Sequence, residues 1–308
     1  MAEETPGKRL PRDKRVPHDE RPPMRLTERD IDIIQAVNDH RALLGSHIEA
    51  LFFGSQSTAQ YRLSRLFHHE YLDRHFMTVV SGGPASSPII YTVGVRGEQI
   101  LVEQRGYDHK ALRRPKGGTL AWQFLEHLLK INEFRVAVAL AARTHGWTVE
   151  VWQDELFFRA IPDYVMLEDK RGRTHKKPVF PDGYFRLVVP QGRAHFFLEV
   201  DRGNEPHNKF RPQVEVYQAY TGGGQYQARY SQRSLRILVV TTSWHRIANL
   251  KKTTAQAGGD RKYWFTTFDQ VSPATILTAP VWQRLDSDEL RPLIERVDGE
   301  NGADTDYD

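Results

Sequence analysis

Apolar residues recur along the first hundred positions with two different periods. In RLTERDIDIIQAVNDHRAL, Ile31, Ile34 and Val37 fall on one face of a helix that Thr27 is placed to cap. GSHIEALFFG predicts a second helix, with Ser46 as its cap and Gly54 as its stop. STAQYRLSRLFHHEYL predicts a third from Ser57, with Tyr61, Leu66 and Leu72 turned inward. The pattern then changes to that of strands. LDRHFMTVV and PIIYTVGVRG are β-rich runs on either side of SGGPASSP, a Gly, Pro and Ser tip between hairpin arms. A short helix over VRGEQILVEQRG closes the stretch.

Beyond the polar, basic YDHKALRRPKGG, a long amphipathic helix is predicted over LAWQFLEHLLKINEFRVAVALAARTHGW, ending near Gly146. TVEVWQDEL reads as a strand with FFRAIP as its exit. PDGYFRLVV and HFFLEVDRG are two more strands, separated by VPQGRA. A helix over NKFRPQVEVYQAY, a buried strand over SLRILVVTT, a helix over SWHRIANLKKTTAQ and a last strand over KYWFTTF complete the order. Helix, three strands, helix, strand, helix is an α/β arrangement around a mixed sheet.

These elements divide the chain into segments. Residues 1–23 hold five prolines, both charge signs and almost no apolar content, and are expected to form a disordered tail. Three helices followed by a two-stranded wing is the order of a winged helix-turn-helix domain, placed at 24–106. A linker is expected at 107–118, a mixed-sheet domain at 119–285 and an acidic flexible tail at 286–308. The fold class is therefore α+β or α/β, in two domains, which suits a length of 308 residues.

Composition narrows the classes. The chain is 39% hydrophobic and 27% charged, ordinary for a soluble protein. The absence of cysteine excludes disulfides, thiolate metal sites and thiol chemistry. No apolar run approaches the roughly 18 residues of a membrane span, and the N-terminal stretch lacks the apolar core of a signal peptide. No membrane partner and a cytoplasmic location are expected. The net charge of +4 leans only slightly toward polyanionic partners.

Two groups of residues carry candidate chemistry. On the third helix, Gln56, Gln60, Arg62 and Arg65 form a polar face, with Ser57 at the helix start and Arg74 in the wing. Arg and Gln can make paired hydrogen bonds to base edges, and N–H groups at a helix start receive phosphate. The expected partner is double-stranded DNA. The same face could simply be solvated, or could bind a protein.

The second group is acidic. Glu199 and Asp201 alternate on one strand and so point the same way, and a turn near Gln191 and Gly192 would bring Asp182 alongside. Clustered carboxylates repel unless they are protonated or hold a cation. A hard-oxygen set of this kind suits Mg²⁺ or Mn²⁺, which can activate water for phosphodiester hydrolysis. Glu133 and Glu155 could support such a site from outside. Lys209, Gln213 and Tyr217 recur every four residues, a helical face that could meet the carboxylates. Taken singly, a Pro-Asp pair is a common turn and a helical Tyr is usually core. Phe196, Phe197 and Leu198, however, make the strand before Glu199 central to a sheet.

Pro181-Asp182, Glu199-Val200-Asp201 and the Gln213/Tyr217 helix resemble the PD-(D/E)xK, or restriction-endonuclease-like, superfamily. PDG and LEVDRG following a winged helix further resemble the replication-relaxation family of plasmids and other mobile elements. The resemblance implies a metal-dependent DNA endonuclease or nickase acting in replication, relaxation or mobilisation. Asp182, Glu199 and Asp201 would hold Mg²⁺ or Mn²⁺, with Lys209 and Gln213 at the phosphate. One position departs from the pattern: the superfamily's lysine falls at 201, where this chain has aspartate. Either the basic role has moved to Lys209, or the site binds without cutting. In the second case the protein would be an accessory factor that positions DNA for a relaxase, replication initiator or recombination protein. A transcriptional regulator would leave the carboxylates idle.

Overall fold

Thr27 opens the first helix by pairing with the acid three residues on: its backbone N–H and its hydroxyl both donate to the Asp30 carboxylate at 2.7 Å. From that cap runs α1 (Glu28–His40), followed by β1 (Leu43–Leu44), α2 (Gly45–Phe52), α3 (Gln56–His68), β2 (Leu72–Phe76), β3 (Ile89–Val93) and α4 (Val95–Arg105). The computed structural model describes residues 12, 14–76, 88–113, 122–169 and 171–295. It separates into two units, Met1–Asn132 and Glu133–Asp308, with α5 (Trp122–Thr144) running from one into the other.

In the first unit the three strands pair antiparallel in the order β1-β3-β2. Ile33, Ile34, Val37, Leu63, Leu66, Ile90 and Leu101 fill the core beneath them. Two boundaries and one side-chain orientation differ from the sequence pattern. Helix α2 is capped at Leu44, so Ser46 lies inside its first turn. Helix α3 starts at Gln56, because Ser55 is its cap and accepts from the Thr58 N–H. Tyr61 does not turn inward and is 63% exposed, since Ala59, Leu63, Leu66 and Phe67 already form the buried stripe. The expected wing tip, SGGPASSP, lies outside the described residues.

Residues 14–23, expected within a disordered tail, are docked on α3 and β2. Arg15 donates to the carbonyls of Phe67 and Leu72 and pairs with Asp73, while Arg21 pairs with Glu70. Arginine supplies here what the apolar content lacks: fixed forks that satisfy carbonyls at a helix end. The start of the expected linker is tied down as well. Tyr107 donates to Asp39 at 2.8 Å, and Asn38 bonds the backbone of Ala111 and Arg113.

The second unit continues from α5 through β4 (Thr148–Asp154), α6 (Glu155–Ala160), β5 (Tyr164–Glu168), β6 (Thr174–Pro178), β7 (Gly183–Val189) and β8 (Gly192–Val200). Then come α7 (Arg211–Gly222), α8 (Gln225–Tyr230), β9 (Arg236–Thr241), α9 (Trp244–Gln256), β10 (Tyr263–Thr267), β11 (Trp282–Arg284) and β12 (Leu290–Arg291). Seven strands form one sheet in the order β12-β11-β10-β9-β8-β7-β4. Strands β8, β9 and β10 are mutually parallel and the remaining pairs antiparallel, so the sheet is mixed. Phe196, Phe197 and Leu198 are fully buried at its centre.

The first four residues of the predicted exit FFRAIP are helical: the Asp154 carboxylate accepts from the Phe157 N–H and starts α6, which ends at Ala160. The β5–β6 hairpin was not predicted, since its second strand, THKKP, is exposed and polar almost throughout. The acidic tail begins later than 286. Strand β12 pairs with β11, and Leu293 and Ile294 are buried.

Candidate functional site

The β7–β8 hairpin pairs Gly183 with Leu198, a register that sets Asp182 beside Glu199. The Asp182 carboxylate accepts from the Val200 N–H at 2.8 Å, which fixes the hairpin end. The glycine after Asp182 has a steric reason, since a Cβ on Gly183 would lie 3.1 Å from the Trp152 ring. Gly203, in the LEVDRG stretch, holds φ at +71°, a left-handed conformation that favours glycine.

Glu199 points toward α7. Tyr217 donates to its Oε1, and the Gln213 side-chain amide reaches the same oxygen at 3.4 Å, the Tyr217 hydroxyl at 2.6 Å and the Phe180 carbonyl at 3.2 Å. Burial, together with the neighbouring Asp182 charge, pushes the Glu199 carboxyl well above the ordinary glutamate range; the hydrogen bonds from Tyr217 and Gln213 oppose this without cancelling it. The proton is thus held more tightly on Glu199 than on an ordinary glutamate, which eases the repulsion between the two acids.

Asp201 has a different environment. Strand β8 ends at Val200, and the next carboxylate turns toward β9 and α9. Arg246 grips it with both arms at 2.8 Å, and Thr241 donates to it at 2.5 Å. Arg246 also donates to the Glu205 carbonyl at 2.7 Å. Burial would raise the Asp201 pKa, but the bonds from Arg246 and Thr241 outweigh it and hold the carboxyl below the usual aspartate range. The two side chains are only 16% and 17% exposed.

Glu199, Asp201, Glu205, Lys209, Gln213 and Arg246 line one cavity of about 230 Å³, with Phe180, Pro206 and Phe210 as apolar wall. Gln213 and Tyr217 share a face of α7 as their spacing predicts. Lys209 instead lies in a 3-10 turn, His207–Phe210, just before the helix, and still reaches the cavity. Neither Glu133 nor Glu155 lines it; Glu155 pairs with Arg159 one turn along α6.

A Mg²⁺ or Mn²⁺ ion held jointly by Asp182, Glu199 and Asp201 does not fit this arrangement. Asp201 has its oxygens occupied by Arg246 and Thr241, and the Glu199 Oε1 accepts from Tyr217 and Gln213. Among the described residues no group of three or more His, Cys, Asp or Glu is placed to hold a metal ion. Arg246, the residue that decides this, escaped the sequence reading. A signal for it existed: helix α9 starts just past the carboxyl end of β9, where first-turn side chains meet the ends of neighbouring parallel strands.

On α3, Gln56, Ser57 and Gln60 are exposed. The three arginines are engaged internally. Arg62 pairs with the fully buried Asp30 and donates to the Arg25 carbonyl. Arg65 donates to the carbonyls of Pro22 and Pro23, and Arg74 lies over the rings of Phe67 and Tyr91.

Fold and site together define an α/β protein with a mixed sheet, its polar cleft at the carboxyl ends of parallel strands β8 and β9, and a helical unit ahead of it. The chain belongs to the replication-relaxation family, whose model matches residues 34–234. Membership points to a role in the replication or relaxation of plasmid or other mobile-element DNA. Among curated proteins and among solved structures, none matches the chain. No helix among the described residues is long and apolar enough to cross a membrane.

Proposed function

We propose that this protein is a DNA-binding accessory factor of plasmid or mobile-element replication or relaxation, one that does not itself cut DNA. The observation that carries the proposal is the bidentate Arg246–Asp201 pair. At the position where the superfamily pattern has lysine, this chain has a carboxylate neutralised by arginine. That pair takes up the third carboxylate of the expected metal set and leaves no cation free at position 201. The rest of the cleft, with Lys209 on its rim and apolar residues in its wall, suits holding a strand rather than hydrolysing it.

Double-stranded DNA is the proposed ligand of the first unit. The order of three helices and an antiparallel ribbon supports the winged-helix reading. Gln56, Ser57 and Gln60 are polar side chains on α3 left open for base edges and phosphate. A relaxase, replication initiator or recombination protein is the proposed recipient of the positioned DNA.

A metal-dependent endonuclease is the second reading, favoured by one observation: Asp182 and Glu199 are close enough for one to raise the pKa of the other. Titrating a labelled duplex with wild type and with an Asp182→Asn, Glu199→Gln double variant separates the two. Equal affinity, with plasmid maintenance intact in cells carrying the variant, is expected. Loss of maintenance at unchanged affinity would favour cleavage and overturn the proposal.

A further inference from the structure

The β5–β6 hairpin stands outside the seven-stranded sheet as a two-stranded sheet of its own. Its inner side is anchored, with Val165 buried and Leu167 packed on the apolar core. Its base is pinned too. Asp163, just before β5, pairs with Arg229 at 2.7 Å and accepts from the Tyr220 hydroxyl, while its carbonyl accepts from the Val179 N–H just after β6. At the tip, the Asp169 carboxylate gathers the N–H groups of Arg171 and Arg173, the Arg173 side chain and His175 into one turn, with Gly172 at φ +75°. The hairpin is therefore a fixed projection.

Its composition is strongly basic. Residues 164–178 contain five Lys or Arg against two acids, and one of those acids, Asp169, is consumed within the turn. Among the described residues, Arg171 and Lys177 make no side-chain ion pair. On the outer face Tyr164 is 42% and Met166 60% exposed, and the Lys176 ammonium lies 3.8 Å from the Tyr164 ring centre. From Pro178 the chain needs only Val179, Phe180 and Pro181 to reach Asp182, and Phe180 is part of the cleft wall.

We infer that this hairpin is a binding surface for single-stranded DNA, placed at the approach to the Glu199 cleft. Cations beside exposed flat or polarisable side chains are the combination that holds unpaired nucleotides, phosphates on the charges and bases against the ring. A duplex keeps its base faces stacked inside and would leave Tyr164 and Met166 without a role. An acidic protein would use the lysines but has no base to lay on Tyr164. The inference deepens the proposed DNA-binding role by assigning the second unit an unpaired strand, the form that nicking or unwinding produces.

Fluorescence anisotropy on the full chain, with labelled oligothymidylate and a labelled blunt duplex measured separately, tests it. Tyr164→Ala is expected to weaken oligothymidylate binding about tenfold, roughly the loss of one stacked base, whereas Tyr164→Phe keeps it. Reversing Arg171, Lys176 and Lys177 to Glu is expected to cost more than about tenfold and to flatten the salt dependence. Duplex affinity should be unmoved in every variant, and thermal melts confirm folding. If the triple variant does not fold, the Tyr164 pair decides alone. Wild type that ignores oligothymidylate, or variants that bind it equally well, overturn the inference; failure to bind duplex counts instead against the proposed function.

Discussion

Glu199 and Asp201 sit two residues apart on the same strand end, yet their surroundings push their protons in opposite directions. Beside Glu199 burial and a second acid raise the pKa, while beside Asp201 an arginine lowers it. The sequence made Glu199, Gln213 and Tyr217 legible as a group because strand and helix periods are local and fixed. Arg246 was missed, since its one signal, a place in the first turn after β9, names Asp201 as partner only once β8 and β9 are known to pair in parallel. The Glu199 environment has a measurable consequence. Above the ordinary glutamate range the folded chain holds a proton that the unfolded chain has released, so stability falls as pH rises toward the elevated folded pKa. Glu199→Gln imitates the neutral acid and still accepts from Tyr217. Its melting temperature should match wild type in mild acid and exceed it at mildly alkaline pH. Parallel pH profiles for the two proteins would show that Glu199 is not held neutral.

At the scale of elements, α3 divides its polar side chains between two tasks. The Gln56 and Gln60 side faces solvent, while Arg62 and Arg65 reach back to Asp30 and to the carbonyls of residues 22, 23 and 25. Periodicity identified the helix and its polar face but could not separate these tasks, because the strap formed by residues 14–25 looks disordered by composition. Arg62→Ala leaves Asp30 charged and buried, and should cost about 2–4 kcal/mol of stability in urea denaturation. Gln60→Ala should leave stability unchanged and weaken duplex binding by about 1–2 kcal/mol. A Gln60 variant with full affinity, beside an Arg62 variant that folds normally but no longer binds, would reverse the assignment. Strands β5 and β6 were invisible for a related reason. The alternation of a half-buried strand is present in β5, but β6 has no buried residue to display it.

For the whole molecule, a division into two units and the mixed sheet were readable from the order of elements, and the family match at residues 34–234 takes in a part of each unit. The segments read from composition alone fared worst. The tail, the linker and the acidic end each contain residues docked by specific hydrogen bonds or by two apolar side chains, which average charge and proline content do not register. For the carboxylates, sequence counts the acids without showing that Arg246 pairs with one of them. Whether the cleft holds DNA or hydrolyses it is the central question. Incubating purified protein with supercoiled plasmid in Mg²⁺ and in Mn²⁺, then resolving the topoisomers, answers it most directly. The account predicts retarded mobility before deproteinisation and fully supercoiled plasmid after it; nicked or linear product that disappears in Glu199→Ala would contradict it.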